Sequence, residues 1–266
     1  MTDYQWNAFC DFKSVFKKKI EEWLNSAPEL PALQKSAAEA AKTPLYPFET
    51  AVVYNKDLDK LTKDDDIHLI IIGDNPGKDE QLAKNNRYLV GQAGKLADGF
   101  FKKNPQLQTD FRKNVIILNK TPVHSAKTAQ LKKMMKDGGK KIFDLIEESQ
   151  LWMAEQTAKL HCELCRGAQS ASSRTDTSAF PLPEVWLVGY SELKDRGFFI
   201  PYKNKLFQTY SQLNPSVWDK VYVFQHFSMN RFTIDLSAYS DEVSLEKIHE
   251  LGSLHKKEIF SQSERT

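Results

Sequence analysis

The segment 70–77, with the sequence IIIGDNPG, restricts the possible fold of this chain more than any other part of it. A run of three β-branched isoleucines is typical of a strand that is covered on both faces, as in a parallel sheet. Gly73 and the pair Pro76–Gly77 are typical of a tight turn. The segment therefore predicts a central strand that displays Asp74 and Asn75 at its carboxyl end, where open α/β sheets place their binding sites.

Short apolar segments of the same kind recur along the chain. The strand candidates are 67–73, 114–119, 184–189 and 219–225. Helical patterns separate them at 92–104, 127–160 and 204–213, and further helices are predicted at 4–24, 32–42 and 241–262. This alternation predicts an α/β fold of three layers, α/β/α, around a central, mainly parallel four-stranded sheet.

No linker or internal repeat divides the chain, so we expect residues 1–266 to form a single domain. Residues 1–50 are predicted to be an N-terminal helical segment. Residues 161–181 are predicted to be a loop insertion before the third strand, because the sequence from 166 onward is rich in Ser, Thr, Ala and Arg.

The composition is that of an ordinary soluble protein, with 41% hydrophobic and 27% charged residues. No apolar run is long enough to cross a bilayer, and the N-terminus lacks the pattern of a secretory signal. We therefore expect a cytoplasmic monomer without a membrane partner. The net charge of +2 implies no overall attraction to nucleic acid, and the paired lysines are interpreted as solvated helix faces.

The chain has three cysteines, Cys10, Cys162 and Cys165, and an odd, small number argues against a disulfide framework. Cys162 and Cys165 have half of the spacing pattern of a metal site, but no second pair accompanies them. We interpret them as unligated thiols near the end of a helix.

Each predicted strand ends in polar or small residues. The first ends at Asp74 and Asn75, the second at Asn119, the third before Ser191 and the fourth at His226. Because the carboxyl ends of parallel strands lie along one edge of a sheet, these side chains are expected to converge on one cleft.

This ordered set resembles the motifs of the uracil-DNA glycosylase superfamily. The segment GDNPG at 73–77 is similar to the first motif, the strand IILN at 116–119 to the middle strand that ends in Asn, and HFSMNR at 226–231 to the last motif. The segment VGQAGKL at 90–96 is similar to one in the iron–sulfur branch of the superfamily. The resemblance covers roughly residues 67–232.

The chain departs from the family pattern at several places. Asn75 occupies the water-positioning place, as in the mismatch-specific and single-strand-selective branches, whereas Asp74 and the segment 90–96 are more like the iron–sulfur branch. The cysteines that hold the cluster in that branch are not matched. Leu89 stands where that branch has a base-stacking Phe, and Phe227 stands in place of the usual Pro. The chain is therefore expected to be a divergent member.

The resemblance implies an enzyme, a monofunctional glycosylase that hydrolyses the N-glycosidic bond of uracil or a related deaminated base flipped out of DNA. No metal or other cofactor is required. The implied catalytic residues are His226, which donates to the departing base, Asn75, which holds the water, and Asp74, which assists by its charge or as a base. A purely structural role remains open for Asp74, which can accept backbone amides in the turn.

Four residues are implied to bind the base. Asn119 can pair with the edge of uracil and disfavour cytosine, although it could also merely close a turn. Tyr88 either stacks on the base or is a surface aromatic residue. Leu89 takes the place of the stacking Phe, and Gly73 lies at the start of the first motif.

The loop after His226 is implied to contact DNA. Met229 is the candidate for the apolar wedge that fills the gap left by the flipped base, and Arg231 suits a backbone phosphate. Ser228 could also donate to a phosphate or could instead be a turn hydroxyl, and Ser191 is a weaker phosphate candidate.

Two other interpretations stay open. The first is a nucleic-acid-binding protein with the same fold and weak or no activity. The second is an α/β hydrolase or a nucleotide-binding protein, but the sequence contains neither a nucleophile elbow nor a Gly-rich phosphate loop followed by Lys-Ser/Thr.

Overall fold

The computed structural model describes residues 1–172 and 182–261, with side chains described for all of these except 169–172. Four strands are present: β1 (Leu69–Gly73), β2 (Val115–Asn119), β3 (Glu184–Val188) and β4 (Val221–Phe224). The helices are α1 (Asp3–Ser26), α2 (Leu30–Ala40), α3 (Gln92–Lys103), α4 (Thr128–Asp137), α5 (Gly139–Ser172), α6 (Ile200–Leu213), α7 (Arg231–Tyr239) and α8 (Leu245–Phe260).

The four strands form one parallel sheet in the order β2-β1-β3-β4. Leu69 pairs with Val115 and with Glu184, so that β1 is central and these three strands begin at the same level of the sheet. The chain moves from β1 outward to β2 and then crosses back over β1 to β3. The topological switch point therefore lies between β1 and β3, and ligand sites of open sheets form at such points.

The two faces of the sheet are covered by separate hydrophobic layers. Alternate β1 residues point to opposite faces: Ile70 and Ile72 pack against α1, α5 and α6, whereas Leu69 and Ile71 pack against α3 and α7. Every β1 residue is buried, which explains why its sequence is a continuous apolar run and does not alternate. The predicted three-layer α/β/α fold with a parallel four-stranded sheet is confirmed.

The prediction of a loop insertion at 161–181 was wrong for residues 161–172. Helix α5 continues to Ser172, because His161, Leu164, Cys165 and Ala168 recur at three- and four-residue spacings and are buried. Ala, Arg and Gln are also good helix formers, so the composition of this stretch is compatible with a helix. The remainder of the predicted loop, 173–181, lies outside the described residues.

Two further differences concern helix boundaries. The stretch predicted as one helix at 127–160 is divided between α4 and α5, because the chain turns at Gly138 and at Gly139, where φ is +68°. Helix α7 was not predicted, and it begins directly after the loop that follows His226. Within the described parts of the chain, no helix combines the length and the apolar character that a membrane span requires.

Candidate functional site: a cleft at the carboxyl ends of the four strands

A cleft of about 720 Å³ opens at the carboxyl edge of the sheet. All four strands contribute to its lining, since residues that end or directly follow each of them face the cleft. The lining residues from the strand ends are Asp74, Asn75, Asn119, Gly189, Gln225 and His226. The topology therefore brings the predicted strand-end residues together, although they are separated by more than 150 positions in the chain.

The Asn75 side chain is held in one orientation by the loop that follows β2. Its Nδ2 donates to the Ser125 carbonyl oxygen at 2.9 Å and to Ser125 Oγ at 3.0 Å. Because a carbonyl oxygen only accepts hydrogen bonds, the amide nitrogen must face Ser125. Asn75 Oδ1 then faces Thr128 Oγ1, which donates to it at 3.2 Å. One lone pair of Oδ1 remains for a molecule in the cleft.

The Asn119 side chain has an unused donor. Only 2% of the residue is exposed, and its buried Nδ2 has no hydrogen-bond partner among the described residues. A buried amide nitrogen without a partner is costly, and in a cleft wall it indicates a place where a ligand supplies the acceptor. Gly73 does not itself line the cleft. Gly73 instead leaves space for the Asn119 side chain, because a Cβ at this position would lie 2.5 Å from Asn119 Oδ1.

The His226 ring is fixed by the residue two positions later. The Ser228 backbone N–H donates to His226 Nδ1 at 3.0 Å, and Ser228 Oγ lies 2.8 Å from the same nitrogen. Nδ1 is therefore an acceptor, and the proton of the neutral ring is on Nε2. Burial lowers the pKa of His226, and the Asp74 charge opposes this shift. At neutral pH the ring is uncharged, and its proton is on Nε2.

The Asp74 carboxylate forms an ion pair with Lys120, a residue that the sequence analysis did not single out. The Lys120 side chain is fully buried, and its Nζ also donates to the carbonyl oxygens of Val188 at 2.5 Å and Gly73 at 3.5 Å. Lys120 thus joins the ends of β1 and β3. On the other side the carboxylate packs against Gly189, where a Cβ would lie 2.3 Å from Asp74 Oδ1. Asp74 is thus held in one position at the base of the cleft, with Lys120 as its partner.

The prediction that Tyr88 stacks on a base or lies on the surface was wrong. Its side chain is fully buried in the layer under α3, and its hydroxyl donates to the Val53 carbonyl oxygen at 2.6 Å. Its neighbour Leu89 does line the cleft, with a left-handed φ of 50° and 3% exposure. Both side chains belong to the same buried layer, and of the two only Leu89 also reaches the cleft, which spacing alone does not reveal.

The segment 227–231 forms a rim of the cleft. Phe227 is buried and stacks on Phe232 with a centroid distance of 4.6 Å. This contact fixes the base of the loop. Met229 at the tip is 76% exposed and has a φ of 54°, and Arg231 begins α7 with its side chain exposed. Met229, Arg231 and Ser228 all line the cleft.

Ser191 lies on the opposite rim, in the turn after β3, and is exposed. The charges of the lining are mixed. The exposed cations are Lys78, Lys127 and Arg231, and the carboxylates are Asp74, Asp79, Glu80 and Glu192. Since Asp74 is neutralised by Lys120, the rim is close to electrical balance, and a DNA phosphate would be attracted only locally.

Only the structure identifies His124, whose ring is hydrogen-bonded to the turn at 74–77. Its Nδ1 lies 2.8 Å from the Pro76 carbonyl oxygen, so Nδ1 carries the proton and Nε2 accepts from the Tyr46 hydroxyl at 3.0 Å. Burial lowers the pKa of His124 to about 4. Neither His124 nor Lys120 has a sequence signal beyond its position shortly after a strand, which explains why both were missed.

The two neighbouring cysteines lie far from the cleft, on α5. Cys162 and Cys165 are buried free thiols, and burial raises their pKa values to about 11 and about 12. In the described residues, no group of three or more His, Cys, Asp or Glu side chains is arranged to hold a metal ion.

Comparison with known proteins gives no relative of this chain: no family model, no curated protein and no solved structure matches it. The resemblance to the uracil-DNA glycosylase superfamily therefore rests on the sequence motifs alone.

Proposed function

We propose that the chain is a DNA glycosylase that releases uracil or a related deaminated base from DNA after the nucleotide has been flipped into the strand-end cleft. One observation carries this proposal: Asn75, Asn119 and His226 line the same cleft, where the buried Nδ2 of Asn119 has no hydrogen-bond partner among the described residues. A flipped base has ring carbonyls that can accept such a hydrogen bond.

His226 is proposed to stabilise the departing base. As the bond between sugar and base breaks, negative charge grows on the base oxygen next to the glycosidic nitrogen. A donor aimed at that oxygen lowers the barrier, because its charge interaction is stronger in the transition state than in the ground state. His226 suits this role since its Nδ1 accepts from Ser228 and its Nε2 carries the proton.

Asn119 is proposed to select the base. Its Nδ2 can donate to a carbonyl oxygen of uracil, which cytosine replaces with an amino group. Cytosine would then bring a second donor against the Asn119 donor, and both would be left unpaired in a buried place. Sites of this kind discriminate strongly, because the wrong ligand leaves buried polar groups without partners.

Asn75 and Asp74 are proposed to act on the sugar side of the bond. The remaining lone pair of Asn75 Oδ1 can hold the attacking water. An amide is a weak base, so the chemical step is expected to be slower than with a carboxylate in that place. Asp74, held by Lys120, presents the negative end of this ion pair near the positive charge that develops on the sugar.

DNA is the proposed partner, and the loop of Met229 is its proposed point of entry. Met229 is exposed at the tip, as an intercalating side chain must be, and Arg231 lies beside it. With three exposed cations at the rim, binding should weaken with salt, with a slope of log K against log salt near −3.

The test is base release from oligonucleotides that carry one uracil, hypoxanthine or xanthine, in single strands and in duplexes, followed by alkaline cleavage of the abasic site. We expect release of uracil. His226→Ala should lower the single-turnover rate by 100-fold or more, as loss of an oxyanion donor does. His68→Ala is the matched control, since His68 precedes β1 at the opposite edge of the sheet.

A second candidate is a binding protein of the same fold that does not cut the bond. Two contacts favour it: Thr128 already donates to Asn75 Oδ1, and Lys120 already pairs with Asp74. Retention of uracil-containing DNA without release of any base would support the binding protein and refute the glycosylase. Absence of both binding and release would refute both.

A further inference from the structure

A separate cavity, of about 310 Å³, lies at the amino edge of the sheet, opposite the strand-end cleft. We call it the amino-edge pocket. It is lined by the residues before and at the start of β1 and β3, the turn after α3 and the first residue of α8. Because β1 has five residues, about 16 Å of strand separates the pocket from the cleft. Its volume is at the lower end of the range for small-molecule sites, which suits a ligand of one or two rings.

Much of the pocket wall is apolar and aromatic. Leu69 of β1, Phe101 of α3 and Trp186 of β3 line it and belong to the buried layer under α3. The Phe101 and Trp186 rings are stacked, with a centroid distance of 5.6 Å. Three more leucines complete this part of the wall: Leu107, Leu182 and Leu245. A wall of this kind suits a flat apolar body.

The wall also contains the carboxylate of Glu184, whose side chain is 14% exposed. Its Oε2 accepts from the Trp186 indole Nε1 at 3.3 Å, and its Oε1 lies 2.8 Å from His249 Nε2. These contacts fix the carboxylate in place. They do not exhaust it, because a carboxylate has about four lone-pair positions. Glu184 can therefore accept a further hydrogen bond from a ligand.

The His68 imidazole supplies another acceptor. Asp66 Oδ2 lies 3.4 Å from His68 Nδ1, and a carboxylate beside Nδ1 favours the proton on that nitrogen, which leaves a lone pair on Nε2. This Nε2 is buried and has no hydrogen-bond partner among the described residues. A buried acceptor without a donor is costly. Since His68 lines the pocket, the unpaired Nε2 indicates a place where a ligand supplies the donor.

The charged groups of the lining have one sign. They are the carboxylates of Asp66 and Glu184, and no Lys or Arg is among the described residues that line the pocket. An anionic ligand would be repelled by both carboxylates, whereas a cation would be attracted by both. The pocket therefore combines an apolar wall with acceptors and negative charge.

We propose that the amino-edge pocket binds a small organic amine, that is, a protonated amino group on a flat apolar body of one or two rings. The ammonium group donates to the Glu184 carboxylate and to His68 Nε2, and it matches these groups because it has three N–H donors and no acceptor. The apolar body packs against Trp186 and Phe101, whose rings also attract a cation through their π faces. The pocket is remote from the strand-end cleft, so the proposal does not rest on the proposed function.

The direct test compares three ligands of similar shape that differ in charge: phenethylamine, phenethyl alcohol and phenylacetate. Each is titrated into the full-length protein while the NMR signal of the Trp186 indole N–H is followed, with Trp186→Phe to assign the signal. We expect phenethylamine to shift the signal saturably, because it binds the carboxylate that accepts the indole N–H. The alcohol should bind at least about tenfold more weakly, since it lacks the charge-assisted hydrogen bonds. Phenylacetate should give no saturable shift.

Two variants test the assignment of the residues. Glu184→Gln keeps the size of the side chain and removes its charge, so it should weaken phenethylamine binding by about tenfold or more and change alcohol binding by less than about twofold. Glu155→Gln is the matched control, because Glu155 is also ion-paired, with Lys205 at 3.0 Å, but lies on α5 on the other face of the sheet. It should leave phenethylamine binding unchanged.

If Glu184→Gln does not fold, Leu245→Trp serves in its place. Leu245 lines the pocket and is 46% exposed, so a larger ring can be accommodated there and should fill the pocket and abolish amine binding. Absence of a saturable shift with millimolar phenethylamine would overturn the proposal, as would equal affinities for the amine and the alcohol. Amine binding that persists unchanged in the folded Glu184→Gln or Leu245→Trp protein would also overturn it. Uracil release without amine binding would refute this proposal alone, whereas amine binding without release of any base would refute only the glycosylase.

Discussion

His161 makes the stability of this protein dependent on pH. It is fully buried between α5, α6 and the start of β3. Its Nε2 lies 2.7 Å from the Pro183 carbonyl oxygen and therefore carries the proton, and its Nδ1 accepts from the Tyr210 hydroxyl at 2.8 Å. The neutral ring is satisfied by these two bonds, whereas a second proton would place a charge in the core.

Burial lowers the pKa of His161 from 6.5 to about 4. The unfolded chain therefore binds more protons than the folded chain between these two values, and the free energy of unfolding falls as the pH falls from about 6.5 to about 4. One pKa unit corresponds to about 1.4 kcal/mol, so His161 alone removes about 3 kcal/mol over this range. That is a large fraction of the roughly 5–15 kcal/mol that stabilises a typical domain.

His161→Gln isolates this contribution. The amide can donate to the Pro183 carbonyl oxygen and accept from the Tyr210 hydroxyl, but it does not titrate. We expect the stability of the variant relative to the parent to rise by about 3 kcal/mol as the pH is lowered from 7 to 4, even if the variant is less stable at pH 7. Urea denaturation at several pH values, followed by tryptophan fluorescence, measures this difference.

Tyr210→Phe is the control, because it removes one hydrogen bond and leaves the imidazole titratable. It should be less stable by about 1 kcal/mol and should keep the steep loss of stability at acid pH. Stability curves of His161→Gln and the parent that run parallel from pH 7 to 4 would contradict the buried, neutral state of His161.

Three further predictions concern the cleft. Gly94→Ala should lower the free energy of unfolding, because its Cβ would overlap the Leu89 carbonyl group in the cleft wall. Gly99→Ala, on the same helix, meets no atom within 4 Å, and its free energy of unfolding in urea denaturation should rise by about 0.5–1 kcal/mol. Lys120→Met leaves Asp74 without its partner and should lower the free energy of unfolding by about 3–5 kcal/mol. Part of this loss should return when Asp74→Asn is added. No recovery in the double variant would refute the ion pair as the cause. Met229→Ala should change the unfolding free energy by less than about 0.5 kcal/mol, because the side chain is exposed, and should slow uracil release from duplexes more than from single strands; equal slowing on both substrates would count against the wedge role.

The sequence predicted the four-stranded sheet and the gathering of several strand-end side chains at one edge of it. The isoleucine run and its turn correctly located β1, because a strand buried on both faces must be apolar throughout. Parallel strands place their carboxyl ends at one edge, so Asn75, Asn119 and His226 could be expected in one cleft, where the structure has them. The helix α5 beyond residue 160 was missed, since its small and polar composition is also that of a loop.

The sequence by itself determined the class of fold and the edge of the sheet where the polar side chains gather, because both follow from local patterns of apolar residues and turns. Only the tertiary structure decided which of these side chains are free to act. It paired Asp74 with Lys120, turned Tyr88 into the core beside Leu89, and buried Glu80 in the cleft wall, where its carboxylate accepts the Gly77 amide. These outcomes depend on burial and on contacts between residues far apart in the chain, and neither is encoded in the spacing of residues along it.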